Sequence, residues 1–225
     1  MDGLDNPLWA SLETMHRRFA RKVDGVARYP ADVAPFLAVT REGHEARAAL
    51  SSLVAAGETA YLIGPRPAVP EGWQLEDFGS ILQMVCDDPG ELADEARAGI
   101  VELGDAQADD IRALAALVYP HYFRPRTAEL GRYFGIYDGA TLSAMIGERM
   151  GFHGHREISA VCTHPDFGGR GLARRLLGFL GADIAARGAT PFLHVSPANT
   201  RAVRLYEQNG YRLRRQIAFA SLRWP

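Results

Sequence analysis

Lysine is almost absent from this chain of 225 residues: Lys22 is the only one, and arginine carries the rest of the positive charge. That bias reads as a trait of GC-rich coding before it reads as function, although a guanidinium matches phosphate geometry better than an ammonium does. An excess of either sign is lacking too. With 25 basic against 27 acidic residues, the net charge is −2 and the pI about 6.4, so nothing electrostatic points to nucleic acid or an anionic membrane. Cysteine is scarce, and Cys86 and Cys162 have neither metal-ligand spacing nor a disulfide framework. No bound metal is therefore expected, and a reducing cytoplasm fits. No apolar run approaches the roughly 20 residues of a membrane helix. Residues 1–7 carry acids in place of an apolar leader core, so no signal peptide is expected. Repeats and low-complexity tracts are missing as well. What is there is an ordinary globular composition, long enough for one large or two small domains with a real core.

The hydrophobic spacing predicts a helix over 6–21, where Leu8, Leu12, Met15 and Phe19 recur at intervals of three and four. A short strand over 35–40 and a helix over 44–56 stopped by Gly57 follow. Next come a buried strand over 59–63, a proline-rich loop over 65–72 and a strand over 80–86. From residue 100 the pattern becomes regular: a strand over 100–103, then a helix over 106–118. Two strands about the turn Asp138-Gly139 make a hairpin, because that dipeptide supplies the positive φ values a tight turn requires. A further strand, 157–163, runs into the turn Phe167-Gly168-Gly169-Arg170-Gly171-Leu172-Ala173. An amphipathic helix, a strand over 191–195, a helix over 197–209 and one or two last strands complete the chain. Hairpins first and a βαβ crossover later specify a mixed α/β layer.

A strand that enters Gly-x-Gly and opens a helix presents several backbone N–H groups to one point, at the positive end of the helix. That is an anion site. The Gly-Lys-Ser/Thr of a nucleoside-triphosphate loop is absent, and a dinucleotide fingerprint would need glycine where Arg174 stands. Taken alone, such a turn is more often a tight connection than a ligand site. A second constellation lies about 30 residues on. Asn199, Ala202 and Tyr206 are spaced i, i+3 and i+7, on one face of a helix that Ser196 caps and Pro197 opens.

The two features together resemble the GNAT acetyltransferase superfamily over residues 100–224, most densely over 157–211. That family's pyrophosphate signature, Arg/Gln-x-x-Gly-x-Gly/Ala, falls on Gly168-Gly169-Arg170-Gly171-Leu172-Ala173. Gly168 stands where Arg or Gln is usual, which removes a side-chain contact and keeps the backbone amides; Arg170 or Arg174 is available to supply charge. The pair His164-Pro165 before the turn and Gly210-Tyr211 after the helix also match, and Phe123-Arg124-Pro125-Arg126-Thr127 is similar to a bacterial subgroup with an N-terminal extension. The resemblance implies a mixed, mostly antiparallel central sheet flanked by helices over 97–225. An N-terminal α/β region over 1–96 is left without an assigned role.

It further implies an acetyl-coenzyme A-dependent N-acyltransferase acting by direct transfer in a ternary complex. A small-molecule amine or a protein amino group would be the acceptor. Val161, Cys162 and Thr163 would pair with the pantetheine arm. Gly168, Gly169, Arg170, Gly171, Leu172, Ala173 and Arg174 would hold the pyrophosphate, with Asn199 and Tyr206 completing the cofactor site. Tyr206 would also protonate the departing sulfur, as a phenol that keeps its proton at neutral pH. For the base that takes the amine's proton, Glu157 comes first and Glu148 second, with His194 and His155 behind them. Cys162 reads as a small core residue and not as a nucleophile. The acceptor groove is expected from 120–127 and the hairpin tip 137–139. Arg126 is open to two roles there, gripping a carboxylate or pairing with Glu129. A non-catalytic acyl-coenzyme A-binding module is the alternative, and self-association is left open.

Overall fold

A computed structural model of the chain describes residues 3–90, 97–118 and 122–225. Pro7 at the first position and Asn6, whose side chain accepts from the Trp9 N–H, start α1 (Pro7–Glu13). The helix stops well short of residue 21. Past Thr14 the chain turns through a short 3₁₀ segment, Arg17–Phe19, that carries His16 and Phe19 into the interior and leaves Met15 exposed. Three short strands follow, β1 (Arg21–Val23), β2 (Val26–Arg28) and β3 (Leu37–Val39), paired in that order as a small antiparallel sheet. Then come α2 (Arg47–Leu53), β4 (Thr59–Ile63) and β5 (Gln74–Val85). The first half of β5, polar and exposed, has no apolar alternation to announce it.

The later elements keep closely to the spacing: β6 (Ile100–Leu103), α3 (Ala108–Val118), β7 (Tyr133–Asp138), β8 (Thr141–Phe152), β9 (His155–Thr163), α4 (Leu172–Ala186), β10 (Thr190–Val195), α5 (Thr200–Gln208) and β11 (Arg212–Arg223). With β4 and β5 they form one eight-stranded sheet in the order β4-β11-β5-β10-β9-β8-β7-β6. Every neighbouring pair is antiparallel except β9 with β10. This is the mixed, mostly antiparallel sheet flanked by helices that the sequence implied. The sheet also runs across residues 96/97, because β5 lies between β10 and β11.

Each face of the sheet has its own core. On one, Leu176, Leu177, Leu180 and Ile184 of α4 and Tyr206 of α5 pack on Ile146, Ile158 and Leu193. On the other, Leu8 and Leu12 of α1 with Tyr29 and Phe36 cover Met150, Phe152, Phe192 and Ile217. Burying each such Leu, Ile or Phe contributes about 1.5–3 kcal/mol. The N-terminal segment, together with α3, whose Ile111, Leu114 and Ala115 pack on Met145 and Cys162, thus covers the face that α4 and α5 leave bare. No helix among the described residues is long and apolar enough to cross a membrane.

Candidate active site

The centre of the sheet is opened by a splay. β9 pairs with β10 only through Thr190↔His155, Pro191↔Arg156 and Phe192↔Glu157, while β10 goes on pairing with β5 as far as Val195. Beyond Glu157 the two parallel strands part, so backbone polar groups of β9 face a gap and not a neighbouring strand. A bulge sharpens the parting: Ala160 and Val161 stand opposite the single Ile146, and Ala160 takes a left-handed φ of 49°. An alanine there is strained, and a bulge of this kind re-aims the residues that follow it.

On the helical side of the gap lies a cleft of about 540 Å³ lined by Val161, Thr163 and the whole turn Phe167 to Arg174. Gly169 and Gly171 have φ of 77° and 72°, which glycine adopts freely. Gly171 is the N-cap of α4, and no side chain caps that helix. Its first-turn amides therefore point, without an intrahelical acceptor, at the cleft. Gly168, Gly169, Arg170, Gly171, Leu172, Ala173 and Arg174 all line the cleft. The charge on Arg170 is already taken by Asp138, at 2.8 Å, and its guanidinium stacks on Phe167. Arg174 is exposed, with no ion pair among the described residues, as is Arg201, a second cleft cation that the sequence reading passed over. Two guanidinium groups and a helix N-terminus thus border the same cleft as Gly168.

Asn199 and Tyr206 also line this cleft. Asn199 does so as the N-cap of α5, its Oδ1 accepting from the Ala202 N–H at 3.1 Å. The cap is thus three residues later than Ser196, because Pro197 and Ala198 turn before the helix begins. Tyr206 lies two turns into α5, 8% exposed.

Through the gap, Val161, Asn199 and Tyr206 border a second cavity of about 330 Å³, whose walls include Phe36, Ile81, Tyr122, Arg149, His194 and Phe219. Cys162 faces this cavity and not the cleft; burial pushes its thiol up to about 12, and no base stands beside it in the described contacts, in keeping with a core residue. The hairpin tip expected here lies instead beside the glycine turn, where Asp138 meets Arg170, and Tyr137 donates to Asp110. Of the expected 120–127 groove, residues 120 and 121 lie outside the described residues and Tyr122 lines the cavity. Arg126 forms a two-point ion pair with Glu129 and a third contact with Asp32, so its role is structural.

The largest correction concerns the base. Glu157 is a fully buried carboxylate and does not line either cavity. A second bulge sets Arg149 and Met150 opposite it. Arg149 forks onto both of its oxygens at 2.6 and 2.8 Å, the Met150 N–H donates at 3.2 Å, and His194 Nδ1 lies 2.7 Å from Oε1. Burial alone would raise its pKa, but the Arg149 charge and the hydrogen bonds from Arg149 and His194 outweigh that and hold it near about 2. A carboxylate so satisfied is a poor acceptor for an ammonium proton. Glu148 is buried against Arg187 and reaches neither cavity, and His155 stacks on Phe152.

Of this cluster, Arg149 and His194 line the cavity. The His194 tautomer follows from its neighbours. Arg214 donates to Gln83 Oε1 at 3.0 Å, which fixes the amide orientation, and Gln83 Nε2 then faces Leu4 O at 2.8 Å and His194 Nε2 at 3.2 Å. Facing a donor, Nε2 must hold the lone pair, so Nδ1 carries the proton given to Glu157. The imidazole is thereby oriented, its Nε2 turned from Glu157 and held by Gln83.

Comparison with known proteins agrees with this geometry. Residues 133–220, which span the gap and both cavities' shared wall, match the family described as FR47-like protein. Over 99% of both chains the structure is similar to a GNAT-family protein from Novosphingobium aromaticivorans, with 34% identity and a TM-score of 0.88. A GCN5-related N-acetyltransferase from Kribbella flavida (16% identity, 95% and 93% of the two chains, TM-score 0.61) shares the fold. So does a GCN5-related N-acetyltransferase-like protein from Streptococcus suis (17%, 97% and 92%, 0.60). No curated protein matches the sequence.

Proposed function

The chain belongs to the GNAT family, whose fold supports acyl transfer, and on that premise we propose that it moves an acetyl group from acetyl-coenzyme A onto an amine in a ternary complex. One observation carries the reading: the cleft at the glycine turn and the second cavity meet at Val161, Asn199 and Tyr206, so a donor and an acceptor held on opposite sides of the gap would face each other there. The first-turn amides of α4, with Arg174 and Arg201, would hold the pyrophosphate. The β9 backbone beyond the splay would pair with the pantetheine arm, and an N–H there would polarise the carbonyl, a donor commonly worth a few kcal/mol in the transition state.

On the acceptor side the amine reacts as the free base and sheds its remaining proton to water, because the lone pair of His194 Nε2 is already taken by the Gln83 amide at 3.2 Å. The nitrogen bonds to the carbonyl carbon, the carbon–sulfur bond breaks with its electron pair going to sulfur, and Tyr206 donates the proton that completes the thiol. The test is thiol release against a panel of amines. Tyr206→Phe should lower kcat by about 10²–10⁴-fold with acetyl-coenzyme A affinity kept. A protein that binds acetyl-coenzyme A, but shows no acceptor-dependent release, would be a binding module and not an enzyme.

A further inference from the structure

The walls of the second cavity point to the kind of amine it takes. Five aromatic rings from five separate segments converge at it. Tyr61 and Tyr122 lie 5.0 Å apart between centroids, Phe36 stacks on Tyr122 at 6.1 Å, and Phe219 meets Tyr61 at 6.1 Å. Phe78 meets Phe219 at 5.2 Å and is 43% exposed, an uncommon cost for a phenylalanine on a strand. Phe36, Tyr122 and Phe219 line the cavity itself; Tyr61 and Phe78 stand behind them.

Charge narrows the choice further. Among the described residues no Asp or Glu lines the cavity, and the one fixed cation there, Arg149, is matched by Glu157. A polyamine would therefore find no carboxylate to pair with its further ammonium groups, while aromatic faces suit a single one. A cavity of about 330 Å³ is at the small end for a ligand site, the size of a compact molecule and not of a peptide segment.

We propose that the acceptor is a compact monoamine borne on a flat apolar body, of the arylalkylamine class, seated among Phe36, Tyr122 and Phe219 with its nitrogen toward Val161 and Tyr206, where the cavity meets the cleft. The inference rests on the acyl-transfer reading for its chemistry but not for its binding, so the two are tested apart. The full chain is titrated by calorimetry with 2-phenylethylamine, ethylamine, spermidine and a lysine-containing peptide, then assayed with each for turnover of acetyl-coenzyme A.

2-Phenylethylamine should exceed ethylamine in kcat/KM by roughly tenfold or more. Phe219→Ala should erase that margin through KM for the aromatic amine, with KM for acetyl-coenzyme A kept. Tyr122→Ala serves the same comparison if Phe219→Ala does not fold. Preference for spermidine or the peptide, or no advantage of the ring over ethylamine, overturns the inference and leaves acyl transfer standing. Binding of 2-phenylethylamine that Phe219→Ala weakens, without any turnover, keeps the inference and sinks acyl transfer. Absence of binding and turnover alike overturns the inference.

Discussion

The cleft at the glycine turn and the cavity behind the splay, which the proposed reaction would use together, are built by opposite means. The cleft is made from one continuous stretch, largely of backbone, open to solvent, its charge supplied by a helix terminus and exposed arginines. The cavity is made of side chains from β5, β8, β9, β10 and β11 together with N-terminal residues, around a buried ionic cluster in which Arg149, Glu157, His194 and Gln83 each satisfy the next. The difference teaches where each half is vulnerable. A backbone site tolerates side-chain change and fails when φ is wrong, whereas a side-chain site fails when one member of its network is removed.

That contrast makes Arg149→Met the most damaging single change. It would leave the Glu157 carboxylate buried with only His194 and one amide, and breaking a buried pair in this way costs about 3–5 kcal/mol. Urea unfolding measures it. Adding Glu157→Gln to Arg149→Met should recover a large part of the loss, because the uncompensated charge is what destabilises. A double variant no more stable than the single one would show that Arg149 acts through packing on Phe36, over which it stacks at 4.8 Å, and not through charge.

Acid should act on the same side of the sheet. His16 is buried, its Nε2–H donating to Leu130 O and its Nδ1 near Ser11 and Tyr29; burial lowers its pKa from 6.5 to about 4. Between those values the unfolded chain binds the proton and the folded chain does not, so stability falls as pH drops from 6.5 to 4. Glu157 continues the decline between its ordinary 4.5 and about 2, where protonation again favours the unfolded chain. Each group accounts for about 3 kcal/mol at most. Urea midpoints should be flat above pH 7 and fall in both windows, with Glu157→Gln flattening the lower one. A lower window unchanged in that variant would mean that the carboxylate titrates elsewhere.

How much of this the sequence made legible follows the same division. The glycine turn, the hairpin at Asp138-Gly139 and α4 are local, so spacing and turn chemistry identify them. Tyr206 needed only α5 to place it. The cavity could not be read, since Phe36, Ile81, His194 and Phe219 meet only after β5 inserts between β10 and β11. Glu157 was misjudged for the same reason. Its neighbours in sequence suggest an exposed strand end, and only the bulge in β8 brings Arg149 onto it. His194 was in view, but the carboxylate that orients it was taken for the base itself.

The finest test sets two left-handed residues against each other. Gly171 has φ 72° and open space where a Cβ would be, so Gly171→Ala adds only backbone strain, about 1–2 kcal/mol. It should weaken acetyl-coenzyme A binding roughly tenfold without changing KM for the amine. Ala160, at φ 49° on the edge of the cavity, already bears such strain. In Ala160→Gly the relief of about 1–2 kcal/mol is opposed by glycine's greater chain entropy, about 0.5–1, and by a lost methyl worth about 0.8, since Ala160 is 8% exposed. These nearly cancel, and stability should stay within about 1 kcal/mol in urea unfolding. A bulge that glycine leaves stable but that turns over more slowly would show that the strained Cβ keeps the β9 backbone aimed. Unchanged kcat in a folded Ala160→Gly would assign that aim to the register of β8 alone.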